Sequence, residues 1–218
     1  MLRNETFPCN NQEMNCYLVW DDVSREAFII DPGFANQPEW QRVADRIEAE
    51  HLVLKSVLLT HNHVDHCMGS AFPAKAYHVE IFGSMEDQNH MPSTQVQANV
   101  FGLGDELHWL PITQDVKEGD VLKLGQSRVE VLDCPGHSHH GLCYHFVDDK
   151  LLFSGDVLFY CSIGRSDFGR IMGGDGPLLI QGITSKLLTL PADVIVYPGH
   201  GPRTSIATER AYNPYLRT

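Results

Sequence analysis

The sequence predicts an α/β fold in which two sheets pack together with helices outside them. Three observations carry that prediction. Apolar runs of strand length recur along all 218 residues. The chain falls into two halves, each rich in strands and ending in helical patterns. Hydrophobic residues make up 43% and charged residues 20%, the balance of a globular protein. A chain of this size buries a core large enough to fold without staples, so one domain over residues 1–218 is expected.

Residues 16–20 and 26–30 are apolar runs separated by Asp21-Asp22, a β-hairpin leading into Asp31-Pro32-Gly33. Pro38 opens a helix whose Trp40, Val43, Ala44 and Ile47 share one face. Residues 52–59 read as a buried strand that delivers the chain into Thr60. Between residues 69 and 115 we expect a short helix after Gly69, a strand over 79–82 and an irregular excursion through Trp109. Residues 121–124 and 128–132 alternate like strands, 142–147 forms another, and a turn at Asp148-Asp149 leads to a strand at 151–153. A helix over 177–190 puts Leu179, Ile183, Lys186 and Leu187 at helical spacing. Residues 194–197 make the last apolar strand, and a short helix covers 206–212.

Charge and composition narrow the partners. The formal net charge is −12 without any basic run, which argues against nucleic acid or an anionic membrane. The N-terminus lacks an apolar stretch followed by a cleavage pattern, so no secretory leader is expected. No stretch approaches the roughly 18 apolar residues of a membrane span. Cys9, Cys16, Cys67, Cys134, Cys143 and Cys161 show no CxxC spacing and read as reduced thiols of a cytoplasmic protein.

The chemistry is concentrated where strands end. Four times an apolar run stops and metal-ligating residue types follow: THNHVDH after Leu59, CPGHSHH after Leu132 and Asp133, SGD after Phe153, and PGHG after Tyr197. Imidazole nitrogens and carboxylate oxygens suit zinc, iron or manganese. Gly136, Gly155 and Gly199 beside these residues suit tight turns that let backbone pass close to a crowded site. His139 and His140 are expected in supporting or surface roles, and Cys67 as a small packing residue.

These motifs, in this order from Asp31 to Pro214, resemble those of the metallo-β-lactamase fold superfamily. The resemblance implies an αββα four-layer sandwich of two mixed sheets packed face to face. It also implies a two-metal site: His61, His63 and His137 on one ion, Asp65, His66 and His200 on the other, and Asp156 bridging them. Asp31 matches the aspartate that orients a ligand histidine in that family. The implied cofactors are two divalent ions per chain, with zinc first and iron or manganese as alternatives. The implied chemistry is hydrolysis by a water activated between the ions, with Asp65 and Asp156 as catalytic carboxylates and no serine or cysteine nucleophile.

Within the superfamily, GDVLFYCSIGRSDFGR at 155–170 and PGHGPRTSIATERAYNPYL at 198–216 resemble glyoxalase II, the hydroxyacylglutathione hydrolases. This implies a small-molecule thioester substrate, S-D-lactoylglutathione or a related glutathione conjugate, with Arg165 binding a substrate carboxylate. Three departures qualify the match. Only 18 residues follow His200, too few for the helical C-terminal domain of longer relatives, so the chain is similar to their short single-domain type. Asp167 stands near the place of a glutathione-binding tyrosine, and His139-His140 replaces a Thr-Pro-Gly pattern. Asp167 also offers Arg165 a salt-bridge partner. Two other functions stay open: a mononuclear Fe(II) persulfide dioxygenase using His61, His137 and Asp156, and a metal-binding module without hydrolytic activity. The oligomeric state is not legible.

Overall fold

Both faces of the central strands are apolar, and that dictates layers. The computed structural model describes residues 1–104 and 106–217. Its first sheet runs in the order β1 (Leu2–Cys9), β2 (Met14–Asp21), β3 (Glu26–Ile30), β4 (Val53–Leu58), β5 (Glu80–Gly83), β6 (Gln114–Asp115). It is antiparallel as far as β3 and parallel from β3 onward. The second sheet contains β7 (Val121–Leu124), β8 (Ser127–Asp133), β9 (Leu142–Phe146) and β10 (Leu151–Gly155). After a two-stranded ribbon, β11 (Leu158–Phe159) and β12 (Ser162–Ile163), it is completed by β13 (Ile195–Pro198) and β14 (Thr204–Ser205). Its spatial order is β14-β13-β10-β9-β8-β7, parallel only between β10 and β13.

Period-two alternation sorts side chains into three apolar layers. Tyr17 and Val19 of β2, Phe28 and Ile30 of β3, and Leu58 of β4 meet Val129, Val131, Tyr144, Phe146, Phe153 and Tyr197 between the sheets. The opposite faces of β2 and β3 bury Leu18, Ala27 and Ile29 under the helix α1 (Gln37–Ala49), through its Trp40, Val43, Ala44 and Ile47. On the far side, Cys143, Leu152 and Val196 pack beneath α6 (Gly176–Ser185) and α7 (Ile206–Tyr212) through Leu179, Ile183 and Ile206. The result is a four-layer αββα sandwich with mixed sheets. Four further helices, α2 (Val64–Cys67), α3 (Ala71–Tyr77), α4 (Met85–His90) and α5 (Thr94–Phe101), lie between β4 and β6. Among the described residues, no helix is long and apolar enough to cross a membrane.

Strand direction then places the site. In the first sheet β3, β4 and β5 run in parallel. In the second, β8 and β10 are both antiparallel to β9, and β13 is parallel to β10, so β8, β10 and β13 share one direction. Their carboxyl ends lead into Asp31, Thr60, Cys134, Asp156 and Gly199 along one rim, where open α/β sheets place their ligands. Two hydroxyls from the inter-sheet core reach that rim. Tyr144 donates to the Leu59 carbonyl at 2.8 Å, and Tyr17 donates to the Pro198 carbonyl at 2.6 Å.

The expected hairpin, the α1 face, the helix after Gly69 and the second-half strands all form. Three expectations change. The expected helix over 177–190 stops at Ser185, and a 3₁₀ turn, Leu187–Thr189, follows it. Pro191 requires an extended residue before it, and Leu190 adopts φ −61°, ψ 158°. Lys186, placed on the apolar stripe from sequence, instead donates to Glu118 at 2.9 Å and to the Asp133 carbonyl at 2.5 Å. The excursion before Trp109 contains α4 and α5, each opened by a serine cap, Ser84 on the Asp87 N–H and Ser93 on the Val96 N–H. Finally, β1 pairs along its whole length with β2, an edge strand that no apolar run announces.

Candidate metal centre

The four sequence motifs converge at the rim. His61, His63 and His137 offer three nitrogens within 4.8 Å of one another, as do the donor atoms of His61, His66 and Asp156, and those of Asp65, His66 and His200. Asp156 lies between the groups. Its Oδ1 is 3.4 Å from His66 Nε2, and its Oδ2 is 3.4 Å from His137 Nε2 and 3.7 Å from His200 Nε2. Asp65 Oδ2 stands 3.2 Å from His200 Nε2 and 3.7 Å from His66 Nε2.

Local folding aims each ring. Two residues beyond β4 lies Thr60, whose hydroxyl donates to Asp31 Oδ2 at 2.7 Å and therefore accepts from His61 Nδ1 at 3.0 Å. The Thr60 N–H donates to Asp31 Oδ1 at 2.7 Å, and His66 Nδ1 reaches Asp31 Oδ2 at 3.0 Å. Asp31 thus orients His66 directly and His61 through Thr60. His137 Nδ1 donates to the Arg165 carbonyl at 2.7 Å and His200 Nδ1 to the Gln12 carbonyl at 3.1 Å. A carbonyl can only accept, so Nε2 of both rings is turned to the cluster. β10 delivers Asp156 through Gly155 at φ 48°, a left-handed turn that suits glycine. Gly199 has to be glycine for another reason: a Cβ there would overlap Asp156 Oδ1 and lie 2.6 Å from His66 Cε1.

Burial and mutual charge set the protonation. Burial, reinforced by the neighbouring His66, His63 and His137, holds His61 well below the ordinary histidine range. Burial likewise pulls His63 down to about 3 and lowers His137. These rings are neutral at pH 7, each with a lone pair to offer. Burial opposes charge on His66 as well, but the carboxylates of Asp156, Asp65 and Asp31 outweigh it and hold His66 well above the usual range. Asp156 is pushed up by burial, yet His66, His200 and His137 draw it well below the carboxylate range. Asp65 is lowered in the same way by His66 and His200.

Whether the pocket suits a metal can be tested on its unpaired atoms. Nε2 of His63, His66 and His137 and Oδ1 of Asp156 are buried without any hydrogen-bond partner. His61 Nε2 faces His63 Nδ1 at 3.1 Å. Each buried unpaired polar atom costs on the order of 1–3 kcal/mol, and here His66 Nε2, His137 Nε2 and the Asp156 carboxylate converge on one small volume, with His63 turning its Nδ1 toward it. Divalent cations satisfy such a convergence of nitrogen and carboxylate donors, displacing protons as they bind. The donor set fits a metal.

The cleft over these residues has a volume of about 250 Å³ and is walled by Phe101, Phe159, Phe168, Gln12 and Arg165. Phe168 packs edge-on against His63 and His137, with ring centroids 5.6 and 5.8 Å away. Phe101 lies on α5, which no sequence pattern announces, whereas Phe168 sits inside the motif at 155–170. Arg165 lines the cleft, its guanidinium stacked 4.4 Å above Phe168 and forked onto Asp167 at 2.9 and 3.1 Å. His139 and His140 stand outside the ligand groups. His139 Nε2 lies 3.4 Å from the Ile171 carbonyl, and His140 Nδ1 lies 3.1 Å from Asp133. Cys67 packs, fully buried, among Val57, Leu59, Ala74, Ile81 and Ile112.

Comparison with known proteins agrees with the geometry. The sequence model of the metallo-beta-lactamase superfamily matches residues 13–200. The chain belongs to that superfamily. Among its metallo-β-lactamase relatives, hydroxyacylglutathione hydrolase GloC of Haemophilus influenzae is 43% identical over 98% of both chains. In fold, BLEG-1 B3 metallo-beta-lactamase superposes with a TM-score of 0.87 at 29% identity, covering 99% of this chain and 100% of that one. TTHA1623, solved in a di-iron-bound form, superposes with a TM-score of 0.79 at 30% identity, covering 96% and 100%. Superfamily and likeness together make the chain a metal-dependent hydrolase.

Proposed function

We propose that this hydrolase cleaves an acyl thioester, S-D-lactoylglutathione or a closely related conjugate, releasing a carboxylic acid and a thiol. The supporting observation is the division of donors into two sets joined by one carboxylate. His61, His63 and His137 would hold one divalent ion, Asp65, His66 and His200 a second, with Asp156 shared between them. Such ions supply Lewis acidity and a water that is acidic enough to attack at neutral pH. The identity of GloC at 43% supports the thioester, and the di-iron form of TTHA1623 supports a site for two metals. Zinc is the first choice, with iron and manganese compatible with the same donors.

The chain's own groups have separable roles in this reading. Phe101, Phe159 and Phe168 keep water away from the acyl group. Asp65, whose Oδ2 faces both the cleft and His200, would help hold the second ion beside the substrate and so place the water activated there against the acyl carbonyl. Arg165 offers a guanidinium at the cleft for a substrate carboxylate, in competition with Asp167. One domain over 1–218, action in the cytoplasm, and no nucleic acid or membrane partner complete the proposal. A mononuclear dioxygenase on His61, His137 and Asp156 would leave the Asp65–His66–His200 set without a purpose.

A panel of acyl thioesters, assayed for thiol release with metal content measured on the same sample, tests the reading. Two divalent ions per chain and fastest turnover of lactoylglutathione are expected. A one-iron protein that consumes oxygen with a persulfide and releases no thiol from any thioester would overturn it.

A further inference from the structure

We infer that Asp87 is the positioning residue for one half of the centre, the half formed by His61, His63 and His137; the inference rests on the two-ion reading above. Asp87 is fully buried on α4, where Ser84 Oγ accepts its N–H at 3.0 Å. Its two carboxylate oxygens serve two different loops. Oδ2 accepts from the Asn62 N–H at 2.8 Å and from Asn62 Nδ2 at 3.3 Å. Oδ1 accepts from the His140 N–H at 2.9 Å.

Asn62 separates His61 from His63, and His140 closes the loop that carries His137. One carboxylate therefore fastens together the two segments that supply the triad. Gln97 of α5 grips the first segment as well: its Oε1 accepts from the Val64 N–H at 3.0 Å, and its Nε2 donates to the Asn62 carbonyl at 3.2 Å. The peptide groups on both sides of His63 are thus held. Among the described residues, the hydrogen bonds of the Asp87 carboxylate go to Asn62 and His140, and none goes to Asp65, His66 or His200. The device is specific to one ion.

Both oxygens of Asp87 face N–H donors, and a carboxylate is acceptor-only. An amide of the same size has one acceptor oxygen, so its NH₂ must point at a donor and push one loop away. Ligand placement suffers while the volume stays filled.

The test strips the full-length Asp87→Asn protein with a chelator and titrates it with cobalt(II). Visible absorption and competition with a chromophoric chelator follow each binding step. One of the two steps is expected to weaken by about 10–100-fold, the range for lost supporting contacts. The other, which has no hydrogen bond to Asp87 and shares only Asp156 with the triad, should weaken by less than about threefold. Glu209→Gln is the control for mere burial. Glu209 is equally buried and accepts from the Cys161 N–H at 3.0 Å and from Asn213 Nδ2 at 2.8 Å, with no bond to the triad loops. It should lower thermal stability and leave both steps unchanged.

Equal weakening of both steps in Asp87→Asn, or no weakening, overturns the inference. Should that variant not fold, Ser84→Ala, which removes the cap on the Asp87 N–H, must weaken the same single step by a smaller factor or the inference fails. A wild-type chain that takes up one cobalt ion overturns the two-ion reading instead. The positioning role then stands only if Asp87→Asn loosens that ion by about tenfold or more.

Discussion

Replacing Asp31 with asparagine isolates the most heavily used carboxylate of the rim. Asp31 accepts three hydrogen bonds: the Thr60 N–H and the Thr60 hydroxyl, each at 2.7 Å, and His66 Nδ1 at 3.0 Å. It does so at φ 51°, a left-handed conformation that costs most residues energy but suits asparagine. The substitution therefore keeps shape and backbone while turning one acceptor oxygen into an NH₂ donor. Hydrogen bonds to charged groups contribute about 1.5–3 kcal/mol each, and opposing two donors adds to the loss. A fall of about 3 kcal/mol in folding stability is expected. For a chain of this length that is roughly 6–12 °C in Tm. Circular dichroism melts in excess chelator measure this part alone. Competition titrations with zinc should show, separately, about 10–100-fold weaker binding, since His66 and His61 both lose their orienting partner. A Tm within about 1 °C of wild type, together with unchanged zinc affinity, would refute the role given to Asp31.

Three further outcomes follow from the same geometry. Gly199→Ala places a methyl group on Asp156 and His66; turnover should collapse and stability fall by about 1–3 kcal/mol, read by thiol release and denaturant melts. Asp167→Asn frees the forked guanidinium of Arg165. Because both side chains are largely exposed, the effect is modest: KM for thioesters carrying a carboxylate should fall roughly two- to fivefold with kcat unchanged, and a rise in KM would contradict the competition. Chelation should destabilise the loaded protein by about 2.7 kcal/mol for each ion present at a hundredfold excess over its Kd, visible as a Tm drop of roughly 5–11 °C that added zinc reverses.

The candidate site was legible because its nitrogen and carboxylate donors follow apolar runs. Leu59, Phe153 and Tyr197 close apolar runs buried in the core, and within a few residues of each come imidazole nitrogens or carboxylates able to ligate a metal. The layering was legible for the same reason, since strands apolar on both faces need cover on both. What stayed hidden relies on contacts rather than pattern. In β1 only Leu2, Phe7 and Cys9 are buried, while Arg3 and Asn4 stay accessible at the edge, so no periodic signal survives. Residues 85–101 are polar and weakly patterned; their helices stand on serine caps, and only the Ser84–Asp87 spacing hints at one. Asp87 and Gln97 earn their importance from the histidine loop they grip, which no local stretch reveals. For Arg165 both sequence expectations coexist: it lines the cleft and also pairs with Asp167.

The tyrosine hydroxyls that rise from between the sheets divide the molecule's labour. Tyr144 and Tyr17 anchor the carbonyls just before the histidine-bearing loops, so the placement of those loops is inherited from the deepest part of the protein. The aromatic wall has a different ancestry within the fold: Phe101 ends a peripheral helix, Phe159 belongs to the small ribbon, and Phe168 lies in the loop after it. The same segments carry Gln97 and the Arg165 carbonyl, which hold the histidine loops, so recasting the wall for another acyl group also shifts the supports of the reactive centre.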